Sequence, residues 1–299
     1  MKRRFLTNLA LLVFLNLLVK PFWVFGIDRS VQNIVGASEY GFYFALFNFS
    51  FLFTIILDLG ITGHNNREIA QYPEKLKARF NKIITLRLAL AILYFIFTSI
   101  AGTLMDYTSN QMYLLYILMA NQFLLSFILY LRSNISGLHQ FKTDSILSVL
   151  DRLLMILFCG FLIWGRSSEG NLKIEWFVYA QTAAYLTTAL ISFCLVKMQS
   201  GKLQLGWDIP FLSSLLKESL PFAVLVFLMS FYNRIDSVML ERLLVNGNWE
   251  VGIYAQGYRI LDAVNMFAFL FASLLYPMFS RAIKTKTAKT IRSIEDLVT

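Results

Sequence analysis

Three basic residues, Lys20, Arg234 and Arg259, each lie inside a long apolar segment of the sequence. A charged side chain at the centre of a bilayer costs about 2.5–3.5 kcal/mol on insertion scales, so each of these cations needs a structural or functional reason. Guanidinium and ammonium groups bind phosphate oxygens, and guanidinium does so with forked geometry. We therefore predict that the three cations line a substrate cavity that accepts an anionic head group.

Two carboxylates accompany these cations, since Asp236 closely follows Arg234 and Asp262 closely follows Arg259. Carboxylates inside membrane bundles serve as proton or sodium sites, which makes both residues candidates for ion coupling. The other interpretation is that they act only as counter-ions of the two arginines, or that the cations extend to the membrane surface. Both interpretations remain open at the level of the sequence.

No motif in the sequence indicates enzyme chemistry. His64 and His139 each stand alone, without the spacing of metal ligands, and we expect no metal site. Cys159 and Cys194 lie in apolar runs and are interpreted as packing residues. The sequence has no phosphate-binding glycine loop, no Walker pattern and no G-x-S-x-G motif. We therefore expect no catalytic residue and no cofactor, and we expect that the protein is not an enzyme.

The elements that position these residues must be membrane helices. Of the 299 residues 57% are hydrophobic and only 15% are charged, whereas soluble domains carry about 25% charged residues. The mean hydropathy is +0.60. The net charge of +9 comes from short basic clusters between apolar runs rather than from one basic face, so we expect no nucleic-acid partner.

Apolar runs of about 20 residues predict an all-α membrane protein with eight transmembrane helices. The predicted spans are residues 5–26, 41–61, 83–104, 112–131, 146–165, 174–196, 220–245 and 252–279. Lys20-Pro21 interrupts the first span, and charged residues around Asn233-Arg234 interrupt the seventh. Most Lys and Arg residues of the connecting segments fall on one side, which predicts that both termini are cytoplasmic.

An internal repeat divides the chain. The pattern G-x-x-E-φ-G-φ-Y, with φ apolar, occurs at residues 36–43 and again at 247–254. The two copies follow the first and the seventh predicted span, so they share one orientation, as in parallel repeats of transporters. We predict a complete six-helix lobe (1–200), a cytoplasmic inter-lobe loop (201–218), the first two helices of a second lobe (219–280) and a basic cytoplasmic tail (281–299). A full second lobe would need roughly four more helices, so we expect a fragment or a chain completed by a partner.

Several stretches of the sequence are similar to one family of membrane transporters. They are residues 36–60 leading into NREIA at 66–70, residues 132–137 leading into LDRLL at 150–154, LPF at 220–222, RIDSVML at 234–240, VGIY at 251–254 and YP at 276–277. In this order they resemble the polysaccharide (O-antigen type) flippases of the multidrug/oligosaccharidyl-lipid/polysaccharide exporter superfamily. The likeness extends over almost the whole chain, although the chain departs from the family pattern by ending after the eighth predicted helix.

The resemblance implies two six-helix lobes that alternate access in a prokaryotic plasma (inner) membrane. It implies transport of undecaprenyl-pyrophosphate-linked oligosaccharide from the inner to the outer leaflet, for surface polysaccharide biosynthesis. The partners would then be this lipid-linked oligosaccharide and membrane lipids, with proton or sodium coupling left open.

Two alternative functions remain. A cation-coupled multidrug exporter of the same superfamily would favour acidic residues in the cavity, whereas the predicted cavity is cationic. A membrane-embedded glycan-transferring enzyme would place acidic residues on a substantial external loop, whereas the predicted outer loops are short and carry scattered single carboxylates.

Overall fold

The computed structural model describes residues 13–165, 172–201, 206–261 and 264–265. The described chain is helical throughout and contains no strand. Helix α1 occupies 13–35 and is π-helical over Trp23–Asp28. The helices that follow are α2 (Ala37–Leu52), α3 (Ile55–Asp58), α4 (Ile61–Gln71), α5 (Leu76–Leu104), α6 (Ser109–Gly137), α7 (Phe141–Gly160), α8 (Ile174–Ser200), α9 (Ile209–Leu243) and α10 (247–261).

Four helical stretches are long and apolar enough to cross a membrane: Pro73–Leu104, Ser109–Gly137, Phe141–Gly165 and Ile174–Ser200. Two bent pairs raise the number to as many as six if each pair is one span, namely Ala37–Leu52 with Ile55–Gln71 and Ile209–Pro221 with Val226–Leu243. The protein is therefore a multi-pass membrane protein with four to six candidate spans in its described part. The first and eighth predicted spans extend beyond the described residues, so the total of eight stays a prediction.

The interruptions lie at other places than we predicted. Lys20 and Pro21 are within regular helix, and the departure from α geometry follows them as the π-helical turn Trp23–Asp28. A proline deprives one carbonyl of its partner, and π-bulges are a common way for a helix to absorb such a defect. In α9 the chain is helical through Asn233-Arg234, and the 60° bend lies after Pro221 instead. Here too the missing N–H of a proline within a helix is the physical cause.

The second predicted span, which we expected to be regular, is broken near its end. Leu59 and Gly60 both adopt left-handed backbone conformations, with φ of 44° and 76°. Glycine adopts this conformation without steric cost, whereas the leucine does so only under strain. The 41° bend of this span lies a few residues earlier, between Ala37–Leu52 and Ile55–Gln71. Also, α9 starts at Ile209, inside the segment 201–218 that we predicted as inter-lobe loop.

Helix α6 lies at the centre of the described bundle, where it packs against α2, α4, α5, α7 and α8. A capping box at Thr108 and Gln111 fixes its first turn by satisfying backbone N–H groups at the helix start. Polar side chains join neighbouring helices inside the bundle: Asn65 of α4 donates to Ser133 Oγ and Asn134 Oδ1 of α6, both at 3.0 Å. Such bonds satisfy groups that lipid cannot.

The two copies of the repeat contact one another reciprocally. A Cβ atom on Gly41 would lie 1.8 Å from the carbonyl oxygen of Asn248, and a Cβ atom on Gly252 would lie 2.0 Å from that of Ala37. Gly41 and Gly252 are equivalent positions of the repeat, and so are Ala37 and Asn248. Each close approach is thus the counterpart of the other, as a local two-fold axis between α2 and α10 requires. Small residues permit such backbone contact between membrane helices.

Candidate functional site

Arg259 of α10 reaches across to α1 and α2. Its Nε lies 2.7 Å from Asp28 Oδ2, and its Nη2 donates to the Tyr40 hydroxyl at 2.9 Å. Its guanidinium group also lies 5.3 Å from the centre of the Phe44 ring. The Asp28 side chain is only 2% exposed. Asp28, the last residue of the π-helical turn, is therefore the buried counter-ion of Arg259. Asp262, the counter-ion that the sequence suggested, lies outside the described residues.

Arg234 of α9 has neutral contacts. Its Nη1 donates to Asn48 Oδ1 at 3.2 Å, and Asn48 in turn donates to Ser237 Oγ at 3.1 Å. The guanidinium group lies 5.0 Å from the Phe51 ring centre and 5.3 Å from that of Tyr258. Cation–π contacts of this kind stabilise the charged group without neutralising it.

Lys20 of α1 faces α7. Asn16, which lies on the same helical face, donates to Ser148 Oγ at 3.0 Å, and Lys20 is close enough to interact electrostatically with Arg152 and Asp151. Lys20 is half-buried, and the structure shows no hydrogen bond from its ammonium group to any residue that it describes. Of the three predicted cavity cations, Lys20 therefore makes the fewest contacts within the described part of the protein.

Arg152 of α7 belongs to the same region, although the sequence analysis did not select it. Its guanidinium group lies 5.7 Å from the Trp23 ring centre and donates to the Tyr185 hydroxyl at 3.2 Å. Its Nε is 3.8 Å from Asp151 Oδ2. Nothing in the local sequence distinguishes this arginine, and only the approach of α1 shows that it stands beside Lys20.

Of the two candidate ion-coupling residues only Asp236 is described, and its hydrogen bond is to a tyrosine rather than to Arg234. Asp236 is exposed and accepts a hydrogen bond from the Tyr254 hydroxyl at 3.2 Å, while its neighbour Arg234 contacts Asn48. Asp262 falls outside the described residues. Neither the coupling role nor the counter-ion role of these two aspartates is tested by this arrangement.

Aromatic rings connect the separate cations. Phe44 and Tyr258 make an edge-to-face contact at 6.2 Å, with Arg259 against the first ring and Arg234 against the second. Arg259 also interacts electrostatically with Arg152. We call Lys20, Arg152, Arg234 and Arg259 the interior cation cluster. Among the described residues its contacting carboxylates are Asp28 and Asp151, so the described part of the cluster carries a net positive charge.

A second interior ion pair has a different character. Arg87 of α5 donates to Asp58 and Thr62 and to the backbone oxygen of Ser126, and its guanidinium group lies 4.6 Å from the Tyr130 ring centre. The Arg87 side chain is 3% exposed. Because this charge is enclosed and compensated, it serves to hold the break after α3 against α5 and α6.

The two histidines do not form a metal centre in the described part of the chain. His64 Nε2 lies 2.8 Å from Glu218 Oε2 and joins α4 to α9, while His139 packs beside the ring of Phe141. Among the described residues no three His, Cys, Asp or Glu side chains come close enough to hold an ion.

Membrane-spanning helices around an interior cluster of cations define a polytopic membrane protein. A family model described as polysaccharide biosynthesis protein matches residues 7–283, and the chain belongs to this family. The match fits the O-antigen-type flippases of the multidrug/oligosaccharidyl-lipid/polysaccharide exporter superfamily and places the protein in polysaccharide-related membrane transport. No match was found among curated proteins or among solved structures.

Proposed function

We propose that the protein flips an undecaprenyl-pyrophosphate-linked oligosaccharide from the inner to the outer leaflet of a prokaryotic plasma membrane. The family supports a membrane transporter of polysaccharide precursors. The observation that carries the finer proposal is the interior cation cluster, because a pyrophosphate is the part of such a lipid that needs several positive charges away from water.

Under the proposal, the four cations would contribute to substrate binding in different ways. Lys20 is the least committed of them and would bind the pyrophosphate directly, since a flexible ammonium group adapts to either phosphate. Arg234 is held by aromatic rings and a neutral amide, and Arg152 contacts Trp23 and Tyr185 besides the carboxylate of Asp151. Both arginines would add forked contacts. Arg259 is already paired with Asp28, and its main contribution would be to hold α10 against α1 and α2.

The reciprocal contact of α2 and α10 supports the two-lobe arrangement that alternating access requires. Under the proposal, residues 1–200 form the first lobe and 219–280 begin the second, so the α2–α10 contact lies between lobes. Rocking of one lobe against the other around a central site is the usual mechanism of transporters with internal repeats. Asp236 and Asp262 remain candidates for a proton or sodium step in that cycle.

The alternatives differ in what they demand of the interior. A cation-coupled drug exporter would concentrate carboxylates where substrates bind, but within the described structure the contacting carboxylates, Asp28 and Asp151, are outnumbered by the cations. A glycan-transferring enzyme would need a catalytic carboxylate at the water-facing surface. We therefore propose a transporter rather than an enzyme.

The test is leaflet exchange of a fluorescent undecaprenyl-pyrophosphate-linked oligosaccharide in proteoliposomes. We expect exchange with the unaltered protein. In Lys20→Gln, which loses one charge-assisted contact, the affinity for the lipid-linked oligosaccharide, taken from the dependence of the exchange rate on its concentration, should be roughly tenfold weaker. Lys20→Arg, which keeps the charge, is the matched control. Exchange that is equal in Lys20→Gln and the unaltered protein would remove Lys20 from the site. Release or transfer of the glycan without leaflet exchange would contradict the transporter itself.

A further inference from the structure

A cavity of about 610 Å³ lies where the start of α5 meets the segment that leads into α9. It is on the side of the protein that the distribution of Lys and Arg predicts to be cytoplasmic. Its lining combines one face of α5 with the connecting segment: Lys77, Ala78, Asn81, Lys82, Gly206, Trp207, Asp208, Ile209 and Pro210. We call this cavity the inner-surface pocket. It is formed by other residues than the interior cation cluster.

Two specific contacts join α5 to the connecting segment, and these two elements form the walls of the pocket. The Gly206 N–H donates to Thr85 Oγ1 at 3.3 Å, and Lys82 Nζ lies 2.6 Å from Asp208 Oδ2. Asp208 Oδ1 also accepts from the Phe211 N–H at 3.1 Å and so caps α9. The described part of the connecting segment, 206–208, is thereby fastened to α5 at Gly206 and Asp208. Ala78, one turn before Lys82 on α5, contributes only a small side chain to the lining of the pocket.

The charged side chains around the pocket differ in whether they form an ion pair. Lys82 is compensated by Asp208, and just outside the pocket Lys75 and Arg79 both bind Glu68 Oε2, at 3.3 Å and 3.0 Å. Lys77 is exposed, and within the described part of the chain it makes no ion pair or hydrogen bond. The pocket therefore has a net positive charge, and an anion is the complementary ligand.

The rim of the pocket is apolar. Trp207 is 64% exposed and Ile209 is 74% exposed, although both are large hydrophobic side chains. Tryptophan is enriched at the level of lipid head groups, where its ring contacts acyl chains and its N–H contacts water. Lysines next to exposed apolar side chains suit an amphiphile better than a free inorganic anion.

We propose that the inner-surface pocket binds the phosphate of an anionic phospholipid of the cytoplasmic leaflet, with Lys77 at the head group and Trp207 beside the acyl chains. Basic pockets between membrane helices on this side bind anionic head groups in general. The lipid would bridge the first lobe and the segment that leads to α9, so its binding stabilises the docked position of that segment. The proposal is independent of the transported substrate.

The test compares two lysines only one of which lines the pocket. Purified protein in detergent is titrated with phosphatidylglycerol or phosphatidylcholine, and bound lipid is counted by native mass spectrometry. We expect preferential binding of phosphatidylglycerol, and a roughly fivefold loss of affinity in Lys77→Gln, since one lysine near a charged head group contributes about that factor. Lys75→Gln removes the same charge outside the pocket and should leave the affinity unchanged.

A second variant separates the pocket from general surface charge. Ala78→Trp fills the cavity without changing any charge, and we expect it to weaken phosphatidylglycerol binding at least as much as Lys77→Gln. Equal effects of Lys77→Gln and Lys75→Gln, or undiminished binding in Ala78→Trp, would overturn the proposal. So would equal binding of phosphatidylcholine, or displacement of the lipid by inorganic phosphate at similar concentration, which would identify a free anion as the ligand.

Discussion

Charged side chains inside this bundle differ in how completely they are compensated, and that difference separates structural residues from candidate site residues. Arg87 is enclosed with Asp58 and Thr62 and holds a break in the chain. Lys20 is half-buried without such a partner in the described structure. A buried charge that is paired with an opposite charge contributes to the packing of the helices. A buried charge without such an ion pair is available to bind a ligand.

The Arg259–Asp28 pair provides a prediction at this scale. Arg259→Gln should destabilise the protein by about 3–5 kcal/mol, because it leaves the carboxylate of Asp28 buried and unpaired. The double variant Arg259→Gln with Asp28→Asn should recover most of that loss, since no charge then remains without a partner. Thermal unfolding in detergent measures both. A double variant as unstable as the single one would contradict the pairing.

At the scale of the element, close packing of helices depends on two glycines. Gly41→Ala should cost about 1–3 kcal/mol by overpacking, because the added Cβ meets the backbone oxygen of Asn248 and backbone cannot move aside as a side chain can. Gly63→Ala is the matched control, since a Cβ there meets nothing within 4 Å. It should be neutral or stabilise α4 slightly. Unfolding temperatures of the two variants test the contact, and equal temperatures would argue against it.

The segment before α9 has a pH dependence of its own. The hydrogen bonds from Lys82 and from the Phe211 N–H lower the pKa of the Asp208 carboxyl below its usual range. A lowered pKa means that the contact contributes fully above the ordinary pKa of aspartate, about 3.9, and is lost as the pH falls through the lower value. We therefore expect the segment to stay docked at neutral pH and to detach only in acid.

Fluorescence of Trp207, which precedes Asp208 in the connecting segment, can follow this detachment in a variant whose other four tryptophans are replaced by phenylalanine. We expect a change in its emission below about pH 4, where carboxylates lose their charge. Asp208→Asn should already show the detached emission at pH 7, without a further change in acid. Emission from Asp208→Asn that matches the unaltered protein across the whole range would show that the Lys82 contact does not hold the segment.

At the scale of the whole molecule, the orientation in the membrane is a prediction from the distribution of Lys and Arg. Helix α6 should begin outside and end inside, so Ser109→Cys should react with an impermeant maleimide added to intact cells. Gln140→Cys, just after the end of α6, should react only after the membrane is opened. The native Cys159 is buried and Cys194 is exposed on α8 within a span, so the unaltered protein is the background control. The reverse labelling pattern would invert the predicted topology.

Composition and local pattern were sufficient for the class of protein. Apolar runs around the third to sixth predicted spans correspond to four helices that are long enough to cross a membrane, because every backbone group in lipid must be satisfied within the helix. The repeat around Gly41 and Gly252 was also visible in the sequence, since the same backbone contact demands the same small residue on both sides. The positions of the helix interruptions were predicted less accurately. Pro21 is absorbed by a π-helical turn, while Pro221, outside the predicted breaks, bends α9.

The amino-acid sequence by itself determined that this is a helical membrane protein with cations in its apolar segments, because hydrophobicity and charge are properties of each segment alone. Only the tertiary structure decided which groups those cations contact. Arg259 pairs with Asp28 from a distant helix, and Arg152, which the local sequence did not distinguish, stands beside Lys20. Partners of this kind depend on how helices far apart in the chain pack together, and local spacing carries no information about that packing.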